Sequence, residues 1–127
     1  MTKSVKDLVA EATDRVQTYT VEEARGLLDR DAVVFVDVRD EPELEETGTI
    51  PGAVHASRGM LEYHVDAASP YHMDVFDSGH EFVFYCKSGG RSALAALRAQ
   101  EMGLTRVASL AGGMLAWAKA GGPTEPV

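Results

Sequence analysis

The sequence predicts an α/β fold: a parallel sheet with helices on both faces, plus an N-terminal helix. Three observations predict it. The runs Val33-Val34-Phe35-Val36-Asp37-Val38 and Phe82-Val83-Phe84-Tyr85 are apolar almost without interruption, as strands covered on both faces must be. Helix-patterned segments alternate with these runs along the whole chain, which calls for right-handed crossovers between parallel strands. A chain of 127 residues is the size of one domain built on one core, and no internal repeat or break divides it.

Each element follows from local pattern. Val5, Leu8, Val9 and Ala12 recur at helical spacing, so residues 1–18 form an N-terminal helical extension. Val16-Gln17-Thr18-Tyr19 has the short alternation of an edge strand. Thr20-Val21-Glu22-Glu23 fits a capping box, and Ala24, Leu27 and Leu28 supply the buried stripe of a helix ending near Arg30. After the Val33 strand, residues 41–46 form a short helix favoured by Pro42 in its first turn. Thr47-Gly48-Thr49 is a turn and Ala53-Val54-His55 a short strand. Residues 59–65 form one or two helical turns, and 67–79 a long connection rich in Ser, Pro, Asp and Gly that is expected to border the site. A helix from about Arg91 to Met102 follows the Phe82 strand, with Gly103 as its C-terminal cap. Arg106–Leu110 is the last strand, Gly112-Gly113 a tight turn, and residues 114–119 the final helix. Residues 19–121 thus make the domain, and 122–127 a flexible tail.

Composition narrows the function. Twelve Lys and Arg against twenty Asp and Glu give a formal net charge of -8, which argues against nucleic acid or an anionic membrane as the main partner. A few local cations can still hold a small anion. The N-terminus lacks the apolar run of a signal peptide, so a cytoplasmic protein is expected. The single cysteine excludes an intramolecular disulfide, a Cys-x-x-Cys pair and a cysteine zinc cluster. His55, His64, His72 and His80 show no helical i, i+3 or i, i+4 pairing, so no metal or other cofactor is expected.

That cysteine, Cys86, ends the Phe82 strand, where α/β sheets bind their ligands. The loop Cys86-Lys87-Ser88-Gly89-Gly90-Arg91-Ser92 suits a nucleophile beside an anion. The following helix presents its positive end, and backbone N–H groups of so tight a loop can form an anion nest. Both favour the reactive thiolate. Gly89 and Gly90 permit positive φ, Lys87 and Arg91 add cations, and the Arg91 fork suits an oxyanion. Asp37 and Arg39, at another strand end, are expected as a buried ion pair, with Arg39 also reaching a carboxylate such as Glu46. Arg58 ends the Ala53 strand and is a candidate for substrate contact, with Glu62 one turn on as its partner. Trp117 fits the apolar stripe of the last helix and reads as core.

The chain resembles the rhodanese, or thiosulfate sulfurtransferase, family. The resemblance covers roughly Tyr19 to Gly121 and rests on four motifs in order: Val36-Asp37-Val38-Arg39; the 41–48 segment with Ile50-Pro51-Gly52-Ala53; the loop Cys86–Ser92; and Gly112-Gly113-Met114-x-x-Trp117. It implies a single rhodanese domain with a five-stranded parallel sheet. It implies that Cys86 takes the outer sulfur of a small anionic donor such as thiosulfate, releases sulfite, and passes the resulting persulfide sulfur to cyanide, a thiol or a protein. The amides of residues 86–91 would hold that persulfide, and Ser92 would hydrogen-bond the loop. An alternative of another class is a sulfur-relay or regulatory module that docks a partner protein, with weak small-molecule turnover. A cysteine phosphatase is disfavoured, because such enzymes place five residues between cysteine and arginine and only four lie here. Oligomeric state is left open.

Overall fold

The computed structural model describes residues 2–127. Five parallel strands form one sheet in the order β1-β5-β4-β2-β3: β1 Gln17–Tyr19, β2 Val33–Asp37, β3 Val54–His55, β4 Glu81–Tyr85 and β5 Val107–Leu110. The helices are α1 Val5–Arg15, α2 Val21–Arg25, α3 Glu41–Thr47, α4 Leu61–Val65, α5 Gly90–Glu101 and α6 Gly113–Lys119, with 3₁₀ turns at Arg58–Met60 and Asp74–Asp77. Among the described residues no helix is long and apolar enough to cross a membrane.

The sheet is covered on both faces, which is why its central strands show no polar alternation. On one side Val36, Phe82, Phe84, Cys86 and Val107 pack with Ala95, Ala96 and Ala99 of α5 and with Leu61 and Val65 of α4. On the other, Phe35, Val83, Tyr85, Ala108 and Leu110 pack with Ala24 of α2 and with Met114 and Trp117 of α6. Trp117 is fully buried and stands 6.1 Å from Phe35, ring centre to ring centre. α5 can lie close to the sheet because its inward face is alanine. α1 packs on α5 and adds a further layer beside it.

Several boundaries move relative to the sequence reading. A division at residues 18 and 19 cuts through β1, which pairs with β5 and so belongs to the sheet. α2 stops at Arg25, because Gly26 follows; Leu27 and Leu28 continue as turns and still pack against the core. Residues 122–127, expected as a flexible tail, are held at three points. Glu125 and Thr49 exchange backbone hydrogen bonds of 2.9 Å each, the Glu125 side chain accepts from Gly52 N–H, and the Trp117 indole donates to Pro123 O at 2.7 Å. The connection expected to border the site runs to the wrong end for that role. Phe76 packs on Phe82, and Phe76–His80 lie beside Leu104–Arg106, at the amino ends of β4 and β5, whereas Cys86 follows the carboxyl end of β4.

The Asp37–Arg39 pair organises the strand ends. Both side chains are almost wholly buried, and Arg39 Nη2 donates to Asp37 Oδ2 at 2.8 Å. Burial opposes the guanidinium charge, and the Asp37 carboxylate more than offsets it, so Arg39 stays protonated. Arg39 does not reach Glu46. It donates instead to Thr47 Oγ1 at 2.7 Å and to Gly48 O at 2.9 Å, tying the end of α3 to the end of β2. Arg39→Ala leaves Asp37 buried without its partner, and a loss of about 3–5 kcal/mol in urea unfolding is expected.

Candidate active site

Cys86 is 1% exposed and sits at the end of β4, between the sheet and the start of α5. Its Sγ accepts a hydrogen bond from Gly89 N–H at 3.1 Å. Gly89 adopts φ 112°, a left-handed conformation that folds the loop back over the sulfur and that a side chain would strain.

The start of α6 sets the direction of the loop peptides. Met114 N–H donates to Cys86 O at 2.8 Å, and Leu115 N–H donates to Lys87 O at 3.1 Å. In a trans peptide the C=O and N–H point opposite ways. With both carbonyls turned to α6, the N–H groups of Lys87 and Ser88 point away from it. Among the described residues neither amide has a backbone acceptor. The twelve-residue α5 adds its positive end to the same space.

Gly113 makes this junction possible. Its φ is 56°, and a Cβ there would lie 2.4 Å from Cys86 O and 2.7 Å from Lys87 O. The Gly112-Gly113 turn therefore has a direct part in shaping the cysteine loop.

Arg91 is not a free fork. Its Nη1 and Nη2 donate to the two carboxylate oxygens of Glu43 at 2.8 Å each. Glu43 also accepts from Asp40 N–H at 2.9 Å, at the start of α3. The Arg91 hydrogen bonds, with the Asp40 bond and the Arg91 charge, hold the Glu43 carboxyl down to about 2 against burial, and Glu43 in turn raises Arg91. Arg91 thus clamps the loop to α3, and the cation left to meet an incoming anion is Lys87. Lys87 is exposed, has no carboxylate in ion-pair contact among the described residues, and shares a small cavity with Arg39, Glu43, Glu46, Thr47, Met114 and Leu115.

Ser92 is buried beneath the sulfur. Its Oγ lies 3.6 Å from Cys86 Sγ, donates to Gly89 O at 3.1 Å, and meets Ser109 Oγ at 2.9 Å. Ser88 is exposed on the loop rim, and Gly90 opens α5 beneath Val9 of α1. Arg58 does pair with Glu62, at 3.1 Å, and Glu62 also meets Arg98. Arg58 and Arg98 line a groove with Leu8, Arg15, Leu94 and Leu97 which none of residues 86–91 line, so Arg58 is not brought to the loop. Glu43, Ser109 and the α6 amides were missed by sequence reasoning. Signals existed for the first two: an Asp40-x-x-Glu43 pattern at a helix start, and a lone serine inside an apolar strand.

The sequence matches the family of the rhodanese-like domain over residues 20–120. The chain belongs to that family. A protein of Allochromatium vinosum named as a sulfurtransferase is 33% identical over 100 residues, covering 79% of this chain and 85% of its own length. Among solved structures, RPA3614 of Rhodopseudomonas palustris, a protein of unknown function suggested to be a tyrosine phosphatase, is 46% identical with a TM-score of 0.95, over 98% of this chain and 96% of its own. The polysulfide-sulfur transferase homodimer of Wolinella succinogenes is 28% identical with a TM-score of 0.74, over 96% and 87%. The rhodanese-like fold expected from the motifs is thus the fold observed, and the family is one of sulfurtransferases.

Two outcomes follow from the geometry. Gly113→Ala pushes the Cys86 and Lys87 carbonyls off α6, and the rate at which Cys86 reacts with a sulfur donor is expected to fall about a hundredfold, the scale of a misplacement near 1 Å. Because Glu43 titrates at about 2 in the fold and at 4.5 when unperturbed, its stabilising contribution is full above pH 4.5 and is lost as pH falls toward 2. Melting temperature followed across that window should therefore drop less steeply for Glu43→Gln than for the parent.

Proposed function

We propose that the protein moves sulfane sulfur from thiosulfate, or a similar small anionic donor, to a thiol or protein acceptor through a persulfide on Cys86. The observation that carries this reading is the cysteine loop itself: a strand-end sulfur under the Gly89 amide, with the Lys87 and Ser88 amides turned away from α6 and without a backbone acceptor among the described residues. The Cys86 thiolate attacks the outer sulfur of the donor. The new Sγ–S bond forms as the donor's S–S bond breaks, and sulfite departs with the electron pair. The terminal sulfur keeps the negative charge, which the loop amides and the end of α5 suit. Lys87 is the group available to meet the donor's sulfonate oxygens. An acceptor thiol then passes its proton to the terminal sulfur; its thiolate attacks that outer sulfur as the Sγ–S bond breaks, carries it off as a new persulfide, and leaves Cys86 as thiolate.

The phosphatase suggestion attached to the Rhodopseudomonas relative has a specific obstacle in this chain. Four residues separate Cys86 from Arg91, and the Arg91 fork that would bind a phosphoryl group is held by Glu43. An aryl phosphate tests it, and Cys86-dependent hydrolysis would favour that chemistry. For sulfur transfer, incubation with thiosulfate should add the mass of one sulfur atom to the intact protein, on the peptide bearing Cys86. Cys86→Ser should show neither the adduct nor thiocyanate formation with cyanide; a variant that kept full activity would sink the proposal.

A further inference from the structure

Ser109 stands two residues before the Ala111-Gly112-Gly113 turn and is 3% exposed. Nothing in the sulfur-transfer steps uses it. Yet it hydrogen-bonds Ser92, the one hydroxyl near Cys86 Sγ. As the thiol, Cys86 can donate to Ser92 Oγ at 3.6 Å, while Ser92 donates to Gly89 O at 3.1 Å. A thiolate has no proton to give and needs donors instead. Ser92 can become one only by turning its O–H from Gly89 O to the sulfur.

Two details make that turn cheap. Gly89 O keeps the helical hydrogen bond from Ala93 N–H at 3.2 Å, so no buried carbonyl is stranded. Ser92 Oγ, having given its own proton to the sulfur, keeps the hydrogen bond from Ser109 Oγ at 2.9 Å. A hydroxyl that accepts one hydrogen bond donates another more strongly, and the effect is larger in a dry interior. β5 thereby reaches the nucleophile through α5.

We propose that Ser109 is a positioning residue for Cys86: it turns Ser92 from an acceptor for the thiol into a donor for the thiolate. The proposal rests on Cys86 being the sulfur carrier and adds the means by which its ionised form is held before any donor arrives. The charged groups near the sulfur are Lys87 on the loop, Arg91 on α5 with Glu43 of α3 behind it, and the buried Asp37–Arg39 pair at the end of β2. β5 and the first turn of α6 contribute none, and α1 brings the uncharged Val9 and Thr13 to a cavity shared with Ser88, Gly89 and Ser109. Those charges are the same in the parent and in a Ser109 variant, so a difference between the two reports the hydroxyl.

The test is the rate of Cys86 alkylation by iodoacetamide as a function of pH, on reduced, sulfur-free protein. Ser109→Ala should move the midpoint of the profile upward from the parent's by about half a unit, the scale of a polarised neighbouring hydrogen bond. Ser92→Ala should move it by about one unit, as expected for a lost hydrogen bond to a charged group. The double variant should move it no further than Ser92→Ala, because Ser109 acts only through Ser92. If Ser109→Ala superimposes on the parent, or if the double variant exceeds Ser92→Ala by the full Ser109 effect, the proposal is overturned. Should Ser109→Ala fail to fold, Ser109→Cys carries the same expectation, with alkylation followed by mass on the Cys86 peptide alone: a thiol is the weaker donor, and the profile should shift the same way. A parent that never takes up sulfur from thiosulfate, but whose alkylation profile shifts in Ser109→Ala, would overturn the sulfur-carrier reading and leave this one standing.

Discussion

Two hydrogen bonds run from the first turn of α6 to the carbonyls of Cys86 and Lys87, and the site depends on them. A strand that ends in an unconstrained loop would leave its peptide planes free to turn. Here the helix that covers the opposite face of the sheet supplies the donors. It can approach so closely only because Gly113 has no Cβ and adopts a left-handed conformation. The direction of the loop amides, and so its capacity to hold a negative sulfur, is set from outside the loop. Both glycines before Met114 therefore belong to the site as much as those after Cys86.

Charge is distributed around that loop with a division of labour. The Asp37–Arg39 pair is buried and holds the rim from β2 to Gly48. The Glu43–Arg91 pair is partly exposed and holds the start of α5 to α3. Neither guanidinium is left to chase an anion, and the acidic surface of a chain with net charge -8 repels one from elsewhere. In the proposed sulfur transfer, Lys87 is then the cation available to an anionic donor. Beneath the sulfur, Ser92 and Ser109 place hydroxyls in an otherwise apolar layer.

Much of this was legible in the sequence, for identifiable reasons. Apolar runs without alternation in Val33–Val38 and Phe82–Tyr85 dictate strands buried on two faces, and a strand-end cysteine before a glycine-rich helix start marks the loop. The Asp37–Arg39 pair was expected because two opposite charges at a buried strand end have few other ways to be satisfied. The partner of Arg91 was not legible. Glu43 is 48 positions away, and only the crossover from β2 through α3 brings it to the loop. Arg58 was a candidate for the site because it follows β3, and its pairing with Glu62 one helical turn on was legible from their spacing. Residues 122–127 looked like a loose end because their contacts, to Thr49 and Trp117, are made by backbone groups that composition does not reveal.

The proposed persulfide has a definite place in this loop. A crystal structure of the thiosulfate-treated protein measures it directly. The outer sulfur should sit on the concave side of the loop, about 3.0–3.5 Å from the amide nitrogens of Lys87 and Ser88, with Met114 and Leu115 still bonded to the Cys86 and Lys87 carbonyls. An outer sulfur turned away from those amides, or a loop whose carbonyls have left α6, would contradict it.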